Sequence, residues 1–341
     1  MAGQQSILFV NMAAGYGGGE VQTEELIKYI AKDYRCYLLA RRHSKLAASL
    51  KAQQVPVQVL SLWQSLRLAW RTPSLVLHAQ DGRSAHIVRF LKKLTGKPSL
   101  ITRHVNNPFK RGASLKAYQE ADSVVGVSQQ ITEKLKAINP HAYTVYGCIR
   151  PSRESSEFEQ QYFSSEKTRF RIAHVGNFQP IKNHALTLEL AKSFPEIDFY
   201  LAGSGELEGE LKQAAAGLDN VHFSPFTPFV GSIFKHVDMQ LLPSHLEGLP
   251  GVILEGYQYQ VPILAHRIGG IPEIVEDGKT GFLIEDNAVE GYKAVLRQWL
   301  DGAIRLDVLK DHIRQFNQTH DFSAQRMGQA YSQIYQQLLR K

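Results

Sequence analysis

The chain has 341 residues, of which 43% are hydrophobic and 21% charged, the composition of a packed globular protein and not of a fibre or a disordered tail; its length suits two ordinary domains or one large one. Two cysteines, Cys36 and Cys148, exclude a disulfide framework, and no Cys/His cluster has zinc-ligand spacing. The net charge of +7 is unevenly spread, with 21 Lys+Arg against 8 Asp+Glu in residues 1–150 and 18 against 24 in 151–341, so a basic half made to meet something anionic precedes a mildly acidic one.

Nucleic acid, an anionic membrane face and a phosphorylated substrate all fit that split. The first apolar run, Ile7–Val10, has no basic stretch ahead of it, which argues against a signal peptide. Charges recur too often downstream for the ~18 apolar residues of a spanning helix. A soluble, cytoplasmic protein is expected.

Strands are predicted at Ile7–Val10, Tyr37–Ala40, Val57–Leu60, Leu75–Ala79, Leu100–His104, Val124–Val127 and Tyr143–Tyr146. Helical periodicity separates several of them, as in 21–30, where Leu26, Ile27 and Ile30 share a face. This alternation predicts a parallel sheet covered by helices. After the first strand, Gly15-Tyr16-Gly17-Gly18-Gly19-Glu20 opens a helix as a dinucleotide fingerprint would. The third glycine of that pattern is replaced by Glu20, whose carboxylate would oppose a pyrophosphate. Arg41 and Arg42 fit either the 2′-phosphate of NADP or a basic surface turn.

The stretch Leu62–Arg71 reads as a short basic amphipathic helix with two tryptophans. Packing on its own sheet is the simpler account, and contact with a membrane surface the alternative. His78 closes a strand, where a ligand-facing side chain belongs, although a lone histidine serves structure as readily. The loop from Arg103 to Lys116, with Lys110 and Arg111, leaves a strand's carboxyl end and is the candidate contact for an anionic acceptor; a solvated basic loop is the alternative.

Residues 151–168 are polar and poor in aliphatics, and read as a linker. The alternation then restarts, with strands at Arg171–Val175, Asp198–Ala202, Val221–Phe223, Met239–Leu242, Ile263–Ala265 and Phe282–Ile284. Helices are expected at Ala185–Ser193, Leu207–Ala216 and Val252–Tyr259. Met327, Tyr331, Ile334, Tyr335 and Leu338 form one stripe of a last helix. The expected organisation is 1–150, a linker at 151–168, a second domain at 169–318 and a terminal helix at 319–341. Ligands of doubly wound sheets sit at the carboxyl ends of the strands.

The sharpest local signal runs from Pro243 to Glu255. Pro250 suits the first helical position, which would leave the amides of Gly251, Val252 and Ile253 facing outward toward phosphate oxygens. Glu247 and Glu255 would repel phosphate, so each is better placed to accept hydrogen bonds from the hydroxyls of a sugar and a ribose. A capped helix with two solvated glutamates is the competing account. Gly278-Lys279-Thr280 lacks the leading glycine of a P-loop, having Glu273 there, and a strand follows it.

Glu247 and Glu255 form the E-x7-E pattern of the retaining GT-B glycosyltransferases that use nucleotide sugars, and the run PSHLEGLPGVILEGYQYQVPILAHRIGGIPEIVEDGKTGFLI resembles that family's signature region throughout. The similarity extends upstream through Val175–Lys182, Leu201–Gly205 and Val237-Asp238, and loosely into the first half at Gly17–Glu20, His78-Ala79 and Val127-Ser128. The resemblance implies two Rossmann-like doubly wound domains facing across a cleft, the second holding nucleotide and the first acceptor, with the C-terminal helix crossing back to the first. It assigns Glu255 to the ribose, Glu247 to the transferred sugar, and Lys182 to the diphosphate, flanked by the backbone of Gly248, Leu249, Pro250 and Gly251. His104 matches the histidine near the sugar ring, and Gly18 and Gly19 the loop near the donor phosphates. One position departs from the pattern: Asn177 stands where the family commonly has arginine, five residues before the lysine. Phosphate neutralisation then falls to Lys182 and a helix start, or to a substitute such as Arg267 or Arg103.

No D-x-D occurs, so the usual acidic clamp for a metal–diphosphate is absent and no metal is expected; the resemblance implies no other cofactor. The expected partners are a nucleoside-diphosphate sugar and an anionic glycan or glycolipid, as in lipopolysaccharide or surface-polysaccharide synthesis, with peripheral contact at the inner membrane face and no nucleic acid. An NADP-dependent oxidoreductase, or an epimerase of nucleotide sugars on the same scaffold, is the alternative.

Overall fold

The computed structural model describes residues 5–109, 112–163 and 166–340. The chain divides into two compact units, Met1–Cys148 with Phe322–Lys341, and Ile149–Asp321.

The first unit runs β1 (Ser6–Asn11), α1 (Gly18–Ile30), β2 (Arg35–Ala40), α2 (Lys45–Ala52), β3 (Val57–Leu60), α3 (Leu62–Arg71) and β4 (Leu75–Ala79). It continues through α4 (Gly82–Thr95), β5 (Ser99–Arg103), α5 (Ala113–Glu120), β6 (Ser123–Gly126), α6 (Gln129–Lys136) and β7 (Ala142–Thr144). The second runs α7 (Ser156–Phe163), β8 (Phe170–Val175), α8 (His184–Ser193), β9 (Ile197–Ala202), α9 (Glu208–Ala214), β10 (Val221–Ser224) and α10 (Val230–His236). It ends with β11 (Met239–Leu242), α11 (Gly251–Tyr257), β12 (Ile263–His266), β13 (Gly281–Ile284), α12 (Val289–Leu300) and α13 (Leu306–Thr319). The last helix, α14 (Ala324–Arg340), belongs to the first unit.

Both sheets are parallel and doubly wound, in the orders β3-β2-β1-β4-β5-β6-β7 and β10-β9-β8-β11-β12-β13. Their central strands are buried on both faces, which is why they read as continuous apolar runs rather than alternating ones. In the first unit Ile7, Phe9, Leu38 and Val76 pack with Leu26 and Ile27 of α1, and the stripe of Met327, Tyr331, Ile334, Tyr335 and Leu338 on α14 completes that core. In the second, Ile172, Phe199, Leu241 and Leu264 pack against Leu190 of α8 and Tyr292, Leu296 and Trp299 of α12.

Two expectations are corrected. The segment 151–168 is not an open linker, because α7 lies within it. Phe158 and Phe163 of that helix pack with Ala173, Tyr200 and Phe234, covering the other face of the second sheet. Three aromatic residues in 151–168, Phe158, Tyr162 and Phe163, were enough to anchor a helix despite the polar composition. Pro250 is the residue preceding α11 rather than its first, with φ −75° and ψ 104°, and the amide of Ile253 donates back to Pro250 O at 3.2 Å instead of facing outward.

The order of each sheet reverses beside its first strand, between β1 and β4 in one unit and between β8 and β11 in the other. Connections on either side of such a point leave in opposite directions and open a crevice at the strands' carboxyl ends. The loops after β8 and β11 carry Lys182 and Glu247; the loop after β1 leads into Gly18 and Gly19 at the start of α1, and that after β4 carries Gln80.

Candidate active site

In the second unit the loop after β8 is stitched to its neighbours. Gly176 N donates to Ala202 O at 3.0 Å, Phe178 N to Ser204 O at 2.9 Å, and His245 N to Ile181 O at 2.8 Å. The turn Pro180–Lys182 is thereby held against the loop after β11. A Cβ on Gly203 would stand 2.0 Å from Gly176 O, so only glycine lets these backbones approach. The outcome is a direct ion pair, with Lys182 Nζ 2.6 Å from Glu247 Oε1. The Glu247 side chain is buried and that of Lys182 nearly so.

The opposite wall of this loop is equally fixed. Gly270 N donates to Gly248 O at 2.6 Å, and Gly269, at φ +60°, lies so close that a Cβ there would be 2.2 Å from Glu247 O. His266 Nδ1 donates to Ser244 O at 2.8 Å, and Asn287 Nδ2 to Pro243 O at 3.0 Å. Gly248 and Pro250 are buried, Leu249 and Gly251 half-buried. Glu255, on α11, has its carboxyl raised above the usual range by burial, an effect that the charge of Arg150 opposes. Asn177 is exposed. Arg267 is no free substitute for an absent arginine, since it pairs with Asp277 at 2.7 Å and with Glu285 at 2.5 Å.

Behind the turn lie two histidines that the sequence reading passed over. The rings of His174 and His184 stack at 3.9 Å, 6° from parallel, and His174 Nδ1 meets Thr187 Oγ1 at 2.8 Å. Burial, with the nearby charges of His184 and Lys182, drives His174 well below the usual imidazole range, and His184 falls to about 4 for burial and Lys182. Two neutral rings can stack at that distance where two cations would repel. The signal was available: His174 stands on the strand and His184 opens the next helix, two residues after Lys182. A groove of about 550 Å3 lies between α8 and α9, bordered by Pro180, Asn183 and His184; neither Lys182 nor Glu247 lines it.

In the first unit a second cluster forms at the other reversal point. A Cβ on Gly19 would be 3.6 Å from His104 Cγ, an ordinary contact that places His104 over the start of α1. Gln80 ties the cluster together, meeting His104 Nε2 at 3.3 Å, Thr23 Oγ1 at 3.3 Å and His78 Nδ1 at 3.1 Å. Strand periodicity could have found Gln80, because His78 and Gln80 are two apart on one face. Burial lowers His104 to about 4, against the opposing charge of Asp81, so the ring is neutral at cellular pH.

His78 does not face an acceptor. It is fully buried, with Nδ1 2.7 Å from Tyr335 OH and Nε2 2.8 Å from Thr102 Oγ1, and burial drives its basicity far down. Its work is to fasten α14 to the sheet. Arg103 lies over the ring of Phe109 at 4.0 Å and bonds to Asn107 O. Lys110 and Arg111 lie outside the described residues. Glu20 Oε2 accepts from Gly17 N at 2.9 Å, taking an amide that a dinucleotide's pyrophosphate would need.

Residues 155–316 match the family model of glycosyl transferases group 1. An uncharacterized glycosyltransferase of Haemophilus influenzae is 38% identical over 163 residues, 46% of this chain and 44% of its own length. An N-acetyl-alpha-D-glucosaminyl L-malate synthase of Bacillus anthracis is 28% identical over 243 residues, 65% of this chain and 61% of its own. The chain thus spans about half the length of these curated relatives. The structure of Anabaena HepE in complex with UDP superposes with a TM-score of 0.85 at 16% identity, over 98% of this chain and 100% of that one. The fold is therefore GT-B, two Rossmann-like domains in one chain.

Proposed function

We propose that the protein is a retaining glycosyltransferase that moves a sugar from a nucleoside diphosphate to a hydroxyl of an anionic glycan or glycolipid, without a metal ion, at the inner face of the cytoplasmic membrane. The observation that carries this reading is the Lys182–Glu247 pair at the reversal point of the second sheet. An ammonium and a carboxylate held together there offer opposite charges to the two ends of one donor. Lys182 meets the diphosphate, and Glu247 accepts from the hydroxyls of the sugar.

Breaking the bond between the anomeric carbon and the diphosphate oxygen builds negative charge on that oxygen, and a fixed ammonium beside it lowers the barrier. As the acceptor oxygen bonds to the same face of the carbon, its proton passes to the leaving oxygen, so no protein carboxylate need attack. Glu255 takes the ribose hydroxyls, and neutral His104 serves as a hydrogen-bonding group beside the sugar ring without adding charge. The basic balance of residues 1–150 supports an anionic acceptor, and a lipopolysaccharide core or lipid-linked saccharide is the class proposed.

The test is nucleotide release across common sugar donors, with UDP, GDP, ADP and NADPH compared in thermal shift. Stabilisation by a nucleoside diphosphate, and turnover that persists in chelator, are expected. Stabilisation by NADPH alone would overturn the reading; donor conversion without any acceptor would make the protein an epimerase. Turnover strictly dependent on magnesium or manganese would remove the metal-free step.

A further inference from the structure

The sequence offers α3 a simple role, packing on its own sheet, and one face does so: Ser65, Leu66 and Ala69 are buried. The opposite face is not accounted for. Trp63 is 79% exposed and Trp70 62%, with Leu62 beside them. Trp63, Arg67 and Trp70 follow the helical spacing that puts them on one stripe. On the adjoining α4, Phe90 is 50% exposed and Leu94 47%, four residues apart. Trp70 Nε1 donates to Leu94 O at 3.3 Å, joining the two helices' outer faces into one surface. Phe226 and Val308, also exposed, belong to the second unit.

The charges that α3 itself brings to this surface are basic, Arg67 and Arg71, while Arg89, Lys92 and Lys93 of α4 are paired with Glu120 and Asp122. Between Val57 and Pro98 seven lysines and arginines stand against a single acid, Asp81. Asp81 is occupied as the cap of α4, accepting from the amides of Arg83 and Ser84 and also from Met12 N. Arg67, Arg71 and Arg83 are exposed and make no ion pair among the described residues. Tryptophan prefers the boundary between acyl chains and headgroups, where its ring is covered and its N–H stays in a polar layer. Arginine beside it pairs with lipid phosphate. A protein partner would need acidic groups opposite each arginine and shaped pockets for two indoles; an anionic bilayer supplies both without any specific shape.

We propose that the outer face of α3 and α4 docks the protein onto an anionic bilayer, with Trp63, Trp70, Phe90 and Leu94 entering the headgroup layer and Arg67 and Arg71 contacting lipid phosphate. The proposal deepens the membrane-face location proposed above and does not rest on the donor assignment. The full chain is sedimented with vesicles of phosphatidylcholine alone and of phosphatidylcholine with about one third phosphatidylglycerol. Binding to the anionic vesicles, weakened by salt, is expected. Tryptophan emission should move to the blue on binding, because Trp299 is already buried and the change comes from Trp63 and Trp70.

The double variant Trp63→Ser/Trp70→Ser should lose the binding, and Arg67→Gln/Arg71→Gln should weaken it roughly fivefold for each arginine. All four side chains are solvent-exposed, and circular dichroism with UDP calorimetry checks that both variants fold. Absence of binding to anionic vesicles, or binding that the tryptophan variant leaves intact, would overturn the proposal. So would a concentration-dependent dimer abolished by the same substitutions, which would assign this face to a second copy of the chain. Wild-type protein that binds a nucleoside diphosphate but not anionic vesicles sinks the docking surface alone; wild-type protein that binds the vesicles but none of UDP, GDP and ADP sinks the donor reading alone.

Discussion

Glu247 and Lys182 are mostly covered and 2.6 Å apart, so neither can be removed without leaving the other's charge with poor solvation. Glu247→Ala is expected to abolish transfer, by about 10²-fold or more, if its carboxylate holds the sugar as proposed. Circular dichroism should show the variant folded, and full activity in it would end the assignment. Glu255 should behave differently. Its carboxyl is raised by burial on α11, and in the proposed role of ribose ligand Glu255→Gln should weaken nucleotide binding by about tenfold, the loss of one hydrogen bond to a charged group. Calorimetry with the nucleoside diphosphate that stabilises the chain checks this, and an unchanged Kd with a lost rate would exchange the two roles. E-x7-E was plain in the sequence. The Lys182–Glu247 contact was not, because 65 residues separate the partners and only the adjacency of β8 and β11 closes that gap.

Elements succeed here through the loops that join them. Gly269 takes a left-handed φ directly over Glu247 O, and Gly269→Ala combines backbone strain of about 1–2 kcal/mol with a contact that must push the Glu247 loop aside. The expected result is a lowered Tm together with weakened donor binding; lowered stability with normal binding would mean that the loop does not fix Glu247. In the first unit, α14 is fastened by Tyr335 OH to His78. Tyr335→Phe removes the shorter of the two contacts at His78 Nδ1, leaving Gln80 at 3.1 Å, and should cost about 0.5–1.5 kcal/mol in denaturant unfolding, with no effect on nucleotide affinity. The stripe of α14 was legible because a helix with one buried face repeats its apolar residues every three or four positions. Helix α7 was not, since its two core phenylalanines sit among serines and glutamates too polar to suggest a helix before the sheet they cover is known.

At the scale of the whole chain, each unit encloses a pair of histidines held neutral: His78 and His104 in one, His174 and His184 in the other. All four are lowered on folding, so below the ordinary imidazole value of about 6.5 the unfolded chain takes up protons that the folded chain refuses. Stability is therefore fully present above that pH and falls as pH drops toward 4, by up to ~1.4 kcal/mol per pH unit for each histidine. Urea midpoints at pH 7, 6 and 5 should decline in order; a flat series would mean that the histidines are protonated in the folded state. The sequence by itself determined two parallel α/β units, their helices and the acids after one strand, because hydrophobic periodicity and turn chemistry act over neighbouring residues. Only the tertiary structure decided that Lys182 pairs with Glu247, that His78 is enclosed while Trp63 and Trp70 stand in solvent, and that a polar stretch folds into α7. Each of those depends on which strands lie side by side and which helix faces remain uncovered, and the chain order does not contain that information locally.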